Sequence, residues 1–169
     1  MGKLRRLLRH RWVDDSDLRR SLPAEALARV TASVAASELR HSGEIRVCVE
    51  AGLPLSYLWR GLSARDRAVA LFGKLGVWDT ANNNGVLIYL LLAERAIEVV
   101  ADRGLNAHVS PAQWQTIVNG LSQALRSGQT EAGLLAAVAA VNRLLAQHFA
   151  LDAGGGDNPN ELPDAPLLL

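Results

Sequence analysis

The sequence has a single cysteine and no long apolar run, and each shortage excludes a class of protein. Cys48 is the only cysteine among 169 residues, so no intramolecular disulfide can form, and a lone thiol fits a reducing compartment or core filling. The longest apolar runs, residues 85–93 and 132–141, fall short of the roughly 18 residues of a membrane-spanning helix. Arginines interrupt the leucines of the first ten residues, which argues against a secretory signal. We therefore expect a cytoplasmic protein, with membrane association left open.

The sequence also lacks an excess of one charge. Its 18 Lys and Arg residues face 17 Asp and Glu residues, a formal net charge of +1. Nucleic-acid-binding domains normally carry a clear basic excess, so we expect no nucleic-acid partner. The balance conceals an asymmetry, because five of the basic residues lie within the first eleven positions and leave 13 basic against 17 acidic side chains in the rest.

The basic start of the chain has the pattern of a short amphipathic helix over residues 3–12. Leu4, Leu7, Leu8 and Trp12 recur at helical spacing opposite the arginines. Such a helix can lie on an anionic lipid surface or dock on a protein partner. The simpler interpretation, which we favour, is that its apolar edge packs on the domain, because isolated helices this short are marginal in water.

The rest of the chain divides by composition into a domain and a tail. We predict a basic leader over residues 1–21, an α/β domain over residues 22–150 and an extended tail rich in glycine and proline over residues 151–169. The tail cannot be helical. It is either disordered or extended over the domain with Leu162 and Leu167 to Leu169 as anchors, and we favour the second.

Hydrophobic periodicity predicts a mixed α/β fold. Four segments have the period of helices: residues 23–40, 63–75, 110–128 and 130–149. Three have strand patterns: residues 44–51, 86–92 and 96–101. The first strand alternates, which predicts one buried face. It reaches the second through a helix and should lie parallel to it, whereas the second and third are too close for a crossover and should form a hairpin. We predict a mixed central sheet sandwiched by helices.

A polar stretch, residues 79–85, leads directly into the central strand. Its oxygen-bearing side chains suit a hard cation such as Ca²⁺ or Mg²⁺, and it opens with the spacing of an EF-hand loop. The EF-hand match fails, because Thr80 stands where a carboxylate is required and the last ligand position is Leu91. Asparagine-rich loops are more often turns, so a purely structural role is the simpler interpretation.

Two further groups of charged residues lie at strand ends. Asp102 and Arg103 follow the third strand, where they could clamp an anion or, with Asp79, complete a cation site. The alternative is a turn with Gly104 at positive φ and a surface ion pair. Glu44, with Arg46 beside it, begins the first strand; we favour a solvated strand edge there.

Several segments, in their order and spacing, resemble a known family: Gly43 to Val47, Ala68 to Trp78 with Thr80, Asn84 to Tyr89, Val99 to Gly104, Trp114-Gln115, and the helix containing Gly133-Leu134. The family is the TPM domain, named for thylakoid-lumen, photosystem-repair and receptor-modulator proteins, and the resemblance covers residues 22–149. The tail and the lack of a signal or anchor look like its short bacterial branch, whose genes neighbour those of a membrane-anchored relative and a LemA-type protein.

The resemblance implies a sheet sandwiched by helices and two activities. Some members are described as acid phosphatases and some as binding divalent metal near strand-end loops. Carried onto this sequence, the metal residues are Asp79, Asn83, Asn84 and Asp102, with Arg103 available for phosphate. A membrane-anchored relative or a LemA-type protein is the implied partner.

Motifs for nucleophilic and zinc chemistry are missing from the sequence. There is no Gly-x-Ser-x-Gly elbow, no Walker A loop and no His-Glu-x-x-His pair, and nothing implies an organic cofactor. We therefore predict a non-enzymatic interaction domain, sensitive to Ca²⁺ or Mg²⁺, that acts with membrane-linked partners. The alternative is a metal-assisted acid phosphatase, in which Asp79 and Asp102 hold the cation and Arg103 holds the phosphoryl group.

Overall fold

The structure is a computed structural model, and it describes residues 2–151 and 159–169. The helices of this part of the chain are α1 (Lys3–Trp12), α2 (Asp15–Ser21), α3 (Ala24–Glu38), α4 (Leu55–Arg60), α5 (Ala64–Lys74), α6 (Arg103–Asn106), α7 (Pro111–Arg126) and α8 (Thr130–His148). The strands are β1 (Ile45–Glu50), β2 (Val86–Leu91), β3 (Ala96–Ala101) and β4 (Leu167–Leu168). A 3₁₀ turn (Leu92–Glu94) joins β2 to β3.

The four strands form one mixed sheet in the order β3-β2-β1-β4. β1 lies parallel to β2, with Ile45 opposite Val86, and β2 pairs antiparallel with β3. The predicted crossover and hairpin are both confirmed. β4 adds a short parallel strand to the free edge of β1.

Helices cover both faces of the sheet. α3, α7 and α8 pack together over the face that carries Val47, Val49 and Ile88, and these residues belong to the larger apolar cluster. α5 packs over the other face, where Cys48 and Leu87 belong to the second cluster. The predicted α/β/α arrangement is therefore confirmed.

All six residues of β1 are buried, so the prediction of a single buried face was wrong. The alternation arose because polar groups on the second face are paired rather than solvated. The Glu50 carboxylate accepts hydrogen bonds from the Arg67 guanidinium at 2.7 and 2.9 Å and from the Tyr89 hydroxyl at 2.6 Å. Burial raises the pKa of the Cys48 thiol beside this network to about 12, as expected for a core-filling cysteine.

The ends of the predicted helices are set by their caps. α5 and α7 begin with capping boxes at Ser63 and Ser110, and Gly76 and Gly128 follow α5 and α7 with φ of 71° and 74°. The sequence did not predict α4, whose six residues are too few to show a helical period. Its only signals are Pro54 before it and Gly61 after it, at φ 69°.

The described part of the tail, residues 159–169, lies extended along β1. Leu162 is buried in the second apolar cluster, and the Leu169 amide donates to the Val49 carbonyl at 3.0 Å. Of the four predicted leucine anchors, Leu162 is buried and Leu167 and Leu168 are half-buried in β4, whereas the side chain of Leu169 is 39% exposed. The triple glycine at positions 154–156 lies outside the described residues.

Candidate functional site

Two loops meet at one end of the β2–β3 hairpin. We call this surface the strand-end junction, which comprises residues 82–85 and 102–104. The Asp102 amide donates to the Gly85 carbonyl at 2.9 Å, and the Gly104 amide donates to the Asn83 carbonyl at 3.0 Å. These bonds continue the hairpin ladder beyond its last paired residues. Four of the predicted site residues lie at this junction: Asn83, Asn84, Asp102 and Arg103.

Asp102 begins α6, and its two carboxylate oxygens have different environments. Oδ1 accepts the Arg103 amide at 2.6 Å. Oδ2 is buried and has no hydrogen-bond partner among the described residues. Asp102 and Arg103 do not form the surface ion pair of the alternative interpretation, and Gly104 does not have the positive φ that it required. Gly104 is required for space instead, since a Cβ there would lie 2.5 Å from the Asn83 carbonyl oxygen.

Asn83 turns the chain and binds Arg103. It has a φ of 52°, in the left-handed region that asparagine tolerates better than most residues. Its Oδ1 accepts hydrogen bonds from the Arg103 guanidinium at 3.3 and 3.2 Å. The guanidinium is thereby held beside the junction, while the Arg103 side chain as a whole stays exposed.

Asn84 is fully buried, and only one end of its side-chain amide has a hydrogen-bond partner among the described residues. Its backbone N–H donates to the Thr80 Oγ1 at 3.1 Å, and its side-chain Nδ2 donates to the Ser42 Oγ at 3.2 Å. The side chain of Asn82 also donates to the Ser42 Oγ, at 3.2 Å. The Asn84 Oδ1 has no hydrogen-bond partner within the described residues. Ser42 is thus part of the site, although the sequence analysis did not identify it.

The junction lies at the amino ends of the two parallel strands. Ligands of open parallel sheets generally bind at the carboxyl ends, so this site departs from that rule. The signal for Ser42 was present in the predicted topology, because a parallel β1–β2 pair places the residues before β1 beside those before β2. The Val86 amide indeed donates to the Glu44 carbonyl at 2.9 Å.

Asp79 stands apart from these contacts. Its side chain is exposed, and none of the hydrogen bonds or ion pairs among the described residues involves its carboxylate. Its amide donates to the Gly76 carbonyl at 2.9 Å, in the turn after α5. The structure therefore brings together four of the five residues predicted for the cation and anion sites, and Asp79 is not among those four.

The side chains of Glu44 and Arg46 are buried and bind the tail. The prediction of a solvated strand edge was therefore wrong. The Glu44 carboxylate accepts the amides of Glu161 and Leu162, each at 3.2 Å. The Arg46 guanidinium donates to the Pro163 carbonyl at 2.6 Å and to the Ala165 carbonyl. Both side chains are buried, and burial raises the pKa of Glu44 despite the two amides that favour its charged form. The backbone groups that pair with them carry no side-chain signal in the sequence.

The junction offers oxygen ligands but few carboxylates. Within residues 2–151 and 159–169, no three His, Cys, Asp or Glu side chains lie together so as to hold a metal ion. Among the described residues, two buried oxygens at the junction have no hydrogen-bond partner, Asn84 Oδ1 and Asp102 Oδ2. Amide and carboxylate oxygens are of the type that hard cations accept, but a single carboxylate neutralises only half the charge of a divalent ion.

The second candidate surface is α1, whose orientation differs from the favoured prediction. The helix itself is confirmed, but the side chains of Leu4, Leu8 and Trp12 are 72%, 48% and 80% exposed. We call these three residues the exposed row. The opposite edge of α1 docks on the domain: the half-buried Glu94 offers one carboxylate oxygen to both Arg6 and His10, and Leu7, alone among the four predicted apolar residues, packs against the second apolar cluster.

Comparison with known proteins assigns the family. A model of the TPM domain matches residues 16–144. This chain belongs to the TPM domain family. A TPM structure with the same fold is the NMR structure of the BA42 protein from the psychrophilic bacterium Bizionia argentinensis, with a TM-score of 0.75 and 27% sequence identity over 87% of this chain and 94% of that one. The resemblance drawn from the sequence is confirmed.

No curated protein matches this TPM chain. Of the helices that the structure describes, none is both long enough and apolar enough to cross a bilayer.

Proposed function

We propose that this TPM domain is a non-enzymatic interaction domain that acts with membrane-linked partners through α1. The observation that carries the proposal is the orientation of this helix, which binds the domain through Arg6, His10 and Leu7 and leaves Leu4, Leu8 and Trp12 in solvent. Contiguous exposed apolar side chains mark interaction surfaces in soluble domains. A membrane-anchored relative or a LemA-type protein is the partner that the family resemblance favours.

Divalent cations are proposed to modulate the domain at the strand-end junction. Buried polar oxygens without partners are rare in folded proteins, and an ion or a water is the usual explanation. Asn84 Oδ1 and Asp102 Oδ2 are two such oxygens, and they belong to loops joined by backbone hydrogen bonds. Ca²⁺ or Mg²⁺ bound there would tie the start of β2 to the start of α6.

The role of α1 can be tested with a truncated chain. Deleting residues 1–12 should abolish recovery of membrane-linked partners in a pull-down, because it removes the exposed row. Leu39→Ser is the control, since Leu39, which directly follows α3, is 81% exposed and its replacement should not affect recovery. Unchanged recovery by the truncated chain, with a folded spectrum, would contradict the proposal.

The cation site can be tested by titrating the full chain with Ca²⁺ and with Mg²⁺ and following NMR shifts. Shifts should be confined to residues 79–85, 102–104 and Ser42, and they should be lost in Asp102→Asn. Asparagine keeps the helix cap that Asp102 provides, so the variant should fold. Asp15→Asn, an exposed change on α2, is the control. Unchanged NMR resonances of the junction residues in the presence of Ca²⁺ and Mg²⁺ would contradict the proposed cation site.

The alternative function is a metal-assisted phosphatase, and the position of Arg103 favours it. This exposed guanidinium is held by Asn83 Oδ1 at the junction to which Asp102 also belongs, and from there it could contact a phosphoryl group held by a cation. Turnover of a phosphomonoester that depends on added Mg²⁺ and is lost in Asp102→Ala and in Arg103→Gln would support it. Equal turnover in the variants would point to a contaminating enzyme.

A further inference from the structure

The orientation of α1 is fixed by polar contacts on its buried edge. The Arg6 guanidinium donates to the Glu94 Oε1 at 2.6 Å and to the Leu62 carbonyl at 2.7 Å. The Leu53 amide donates to the His10 Nδ1 at 3.0 Å, so the hydrogen on His10 lies at Nε2 and points to the same Glu94 oxygen, 2.9 Å away. Rotating the helix to bury its exposed row would break all four contacts.

The charge of Glu94 fits this arrangement. Burial by itself would raise the pKa of the Glu94 carboxyl, but the hydrogen bonds from Arg6 and His10 outweigh burial and lower it. Glu94 is thus held as a carboxylate that anchors two side chains of α1. The exposed row is the outcome of this docking and not of a loosely attached helix.

Cations flank the exposed row on both sides. On a helix with 3.6 residues per turn, Leu4, Leu8 and Trp12 follow one another along one face, with Arg5 on one side and Arg11 on the other. Both arginines are exposed. Their long apolar stems can lie beside the leucines while their charged ends reach outward.

The neighbouring helix also exposes apolar side chains. α4 packs against α1, and its Leu55 and Trp59, one turn apart, are 63% and 74% exposed. Arg60 follows directly and is also exposed. Two adjacent helices thus each present leucine, tryptophan and arginine to solvent.

We propose that α1, with α4 beside it, lies on the surface of an anionic lipid bilayer. This inference rests on the proposed function and names the surface that the helix contacts. Helices that lie in a membrane interface typically carry leucine and tryptophan on one face, with arginines on either side. The apolar residues enter the boundary of the acyl chains, and the arginines contact lipid phosphates. Tryptophan is enriched at this depth because its ring is amphipathic. The charge flanking the row matches anionic headgroups, whereas an apolar protein groove would leave both arginines unpaired.

Sedimentation of the full chain with lipid vesicles tests this inference. Vesicles of phosphatidylcholine containing phosphatidylserine should bind the protein, and vesicles of phosphatidylcholine alone should bind it weakly. Arg5→Gln with Arg11→Gln should weaken binding about twenty-five-fold, because each cation near an anionic surface contributes about fivefold. Added salt should weaken binding by the wild-type chain and have a smaller effect on this double variant.

Exposed apolar side chains provide a second pair of variants. Leu8→Ser with Trp12→Ser should abolish vesicle binding, whereas Leu39→Ser, at an exposed leucine just after α3, should leave it unchanged. All these positions are in solvent, so the variants should keep the midpoint of urea unfolding. Free inorganic phosphate should not compete at concentrations that leave vesicle binding of the wild type intact.

Three results would overturn the bilayer inference. Equal binding to neutral and anionic vesicles would remove the role of the arginines. No vesicle binding, together with concentration-dependent dimers that disappear in Leu8→Ser with Trp12→Ser, would identify a second copy of the chain as the occupant. No vesicle binding with partner recovery that still depends on residues 1–12 would leave the interaction function standing and replace the bilayer by a protein.

Discussion

At the strand-end junction, Gly104 is required because there is no space for a side chain, and not because of its backbone angle. Gly104 sits where the two loops are closest, and the carbonyl oxygen of Asn83 occupies the position that a side chain would need. The oxygen belongs to the backbone of the facing loop, so it cannot move aside without disturbing the hydrogen bonds that join the loops. The glycine is therefore part of the site's construction.

Gly104→Ala should destabilise the protein by about 1–3 kcal/mol, because the new Cβ would overlap the Asn83 carbonyl. The change should lower the urea midpoint. Gly120→Ala is the matched control: this glycine lies inside α7 with nothing within 4 Å of a new Cβ, so alanine should stabilise the helix by about 0.5–1 kcal/mol. A Gly104→Ala variant as stable as the wild type would show that the loops can separate freely.

The sequence predicted where polar residues gather but not how each one is used. Asn83, Asn84, Asp102 and Arg103 could be placed near one another because the gap between β2 and β3 is too short for anything but a hairpin. Asp79 could not be separated from them, since the turn between α5 and β2 has no periodic pattern. Ser42 could have been added from the parallel pairing, which places its loop beside that of Asn84.

At the scale of the elements, several carboxyl groups lie close together where the tail meets the end of α3 and the start of β1. Burial raises the pKa of Glu38, at the end of α3, to about 8, and the nearby charges of Glu44 and Asp164 raise it further. Asp164 belongs to the tail, and Arg46 is the cation that faces it from β1. Proton binding by Glu38 and attachment of the tail are therefore coupled.

The stability contributed by Glu38 should fall as the pH rises from about 4.5 to about 8. Between the ordinary pKa of 4.5 and the folded pKa of about 8, Glu38 holds its proton in the folded chain and loses it on unfolding. Glu38→Gln should remove this dependence, so the variant should have the higher urea midpoint above pH 8 and a similar one near about pH 5. Glu25→Gln, exposed on the same helix, is the control and should not gain stability at high pH. A constant difference between Glu38→Gln and wild type across this range would contradict the coupling.

Helices and strands that are long enough to show an apolar pattern could be predicted from the sequence. The short helix α4 and the orientation of α1 could not. The strand and helix patterns of residues 23–149 gave the parallel crossover and the hairpin, because each helix is long enough to show an apolar stripe. The six residues of α4 are too few. For α1 the pattern was correct, but of its apolar residues only Leu7 packs on the domain, because Arg6 and His10 both contact one carboxylate, that of Glu94, and so turn Leu4, Leu8 and Trp12 to solvent.

At the scale of the whole molecule, the tail completes the sheet. Without it, β1 would be an edge strand with the charged side chains of Glu44 and Arg46 along it. β4 covers Cys48 and Val49 by direct pairing, and Leu162 fills the second apolar cluster. The sequence predicted the leucine anchors, but the pairing of buried charges with tail backbone could only be seen in the structure.

Truncating the chain after Leu151 should destabilise it by at least about 2 kcal/mol, since the buried leucine alone contributes about that much. The exposed edge of β1 should also promote self-association. Urea unfolding and size-exclusion chromatography measure these effects. A peptide of residues 159–169 added to the truncated chain should restore both properties, and a scrambled peptide is its control. An unchanged midpoint and a monomeric profile would show that the tail is dispensable.

The position of Cys48 makes the intact protein its own reporter of sheet opening. A thiol reacts as the thiolate and must be reachable, but this one is 0% exposed and has a pKa of about 12. As the only cysteine, it can be alkylated only when β1 separates from its neighbours. The rate of alkylation of the unmodified chain would therefore measure how often the centre of the domain opens, and whether lipid or cations slow that motion.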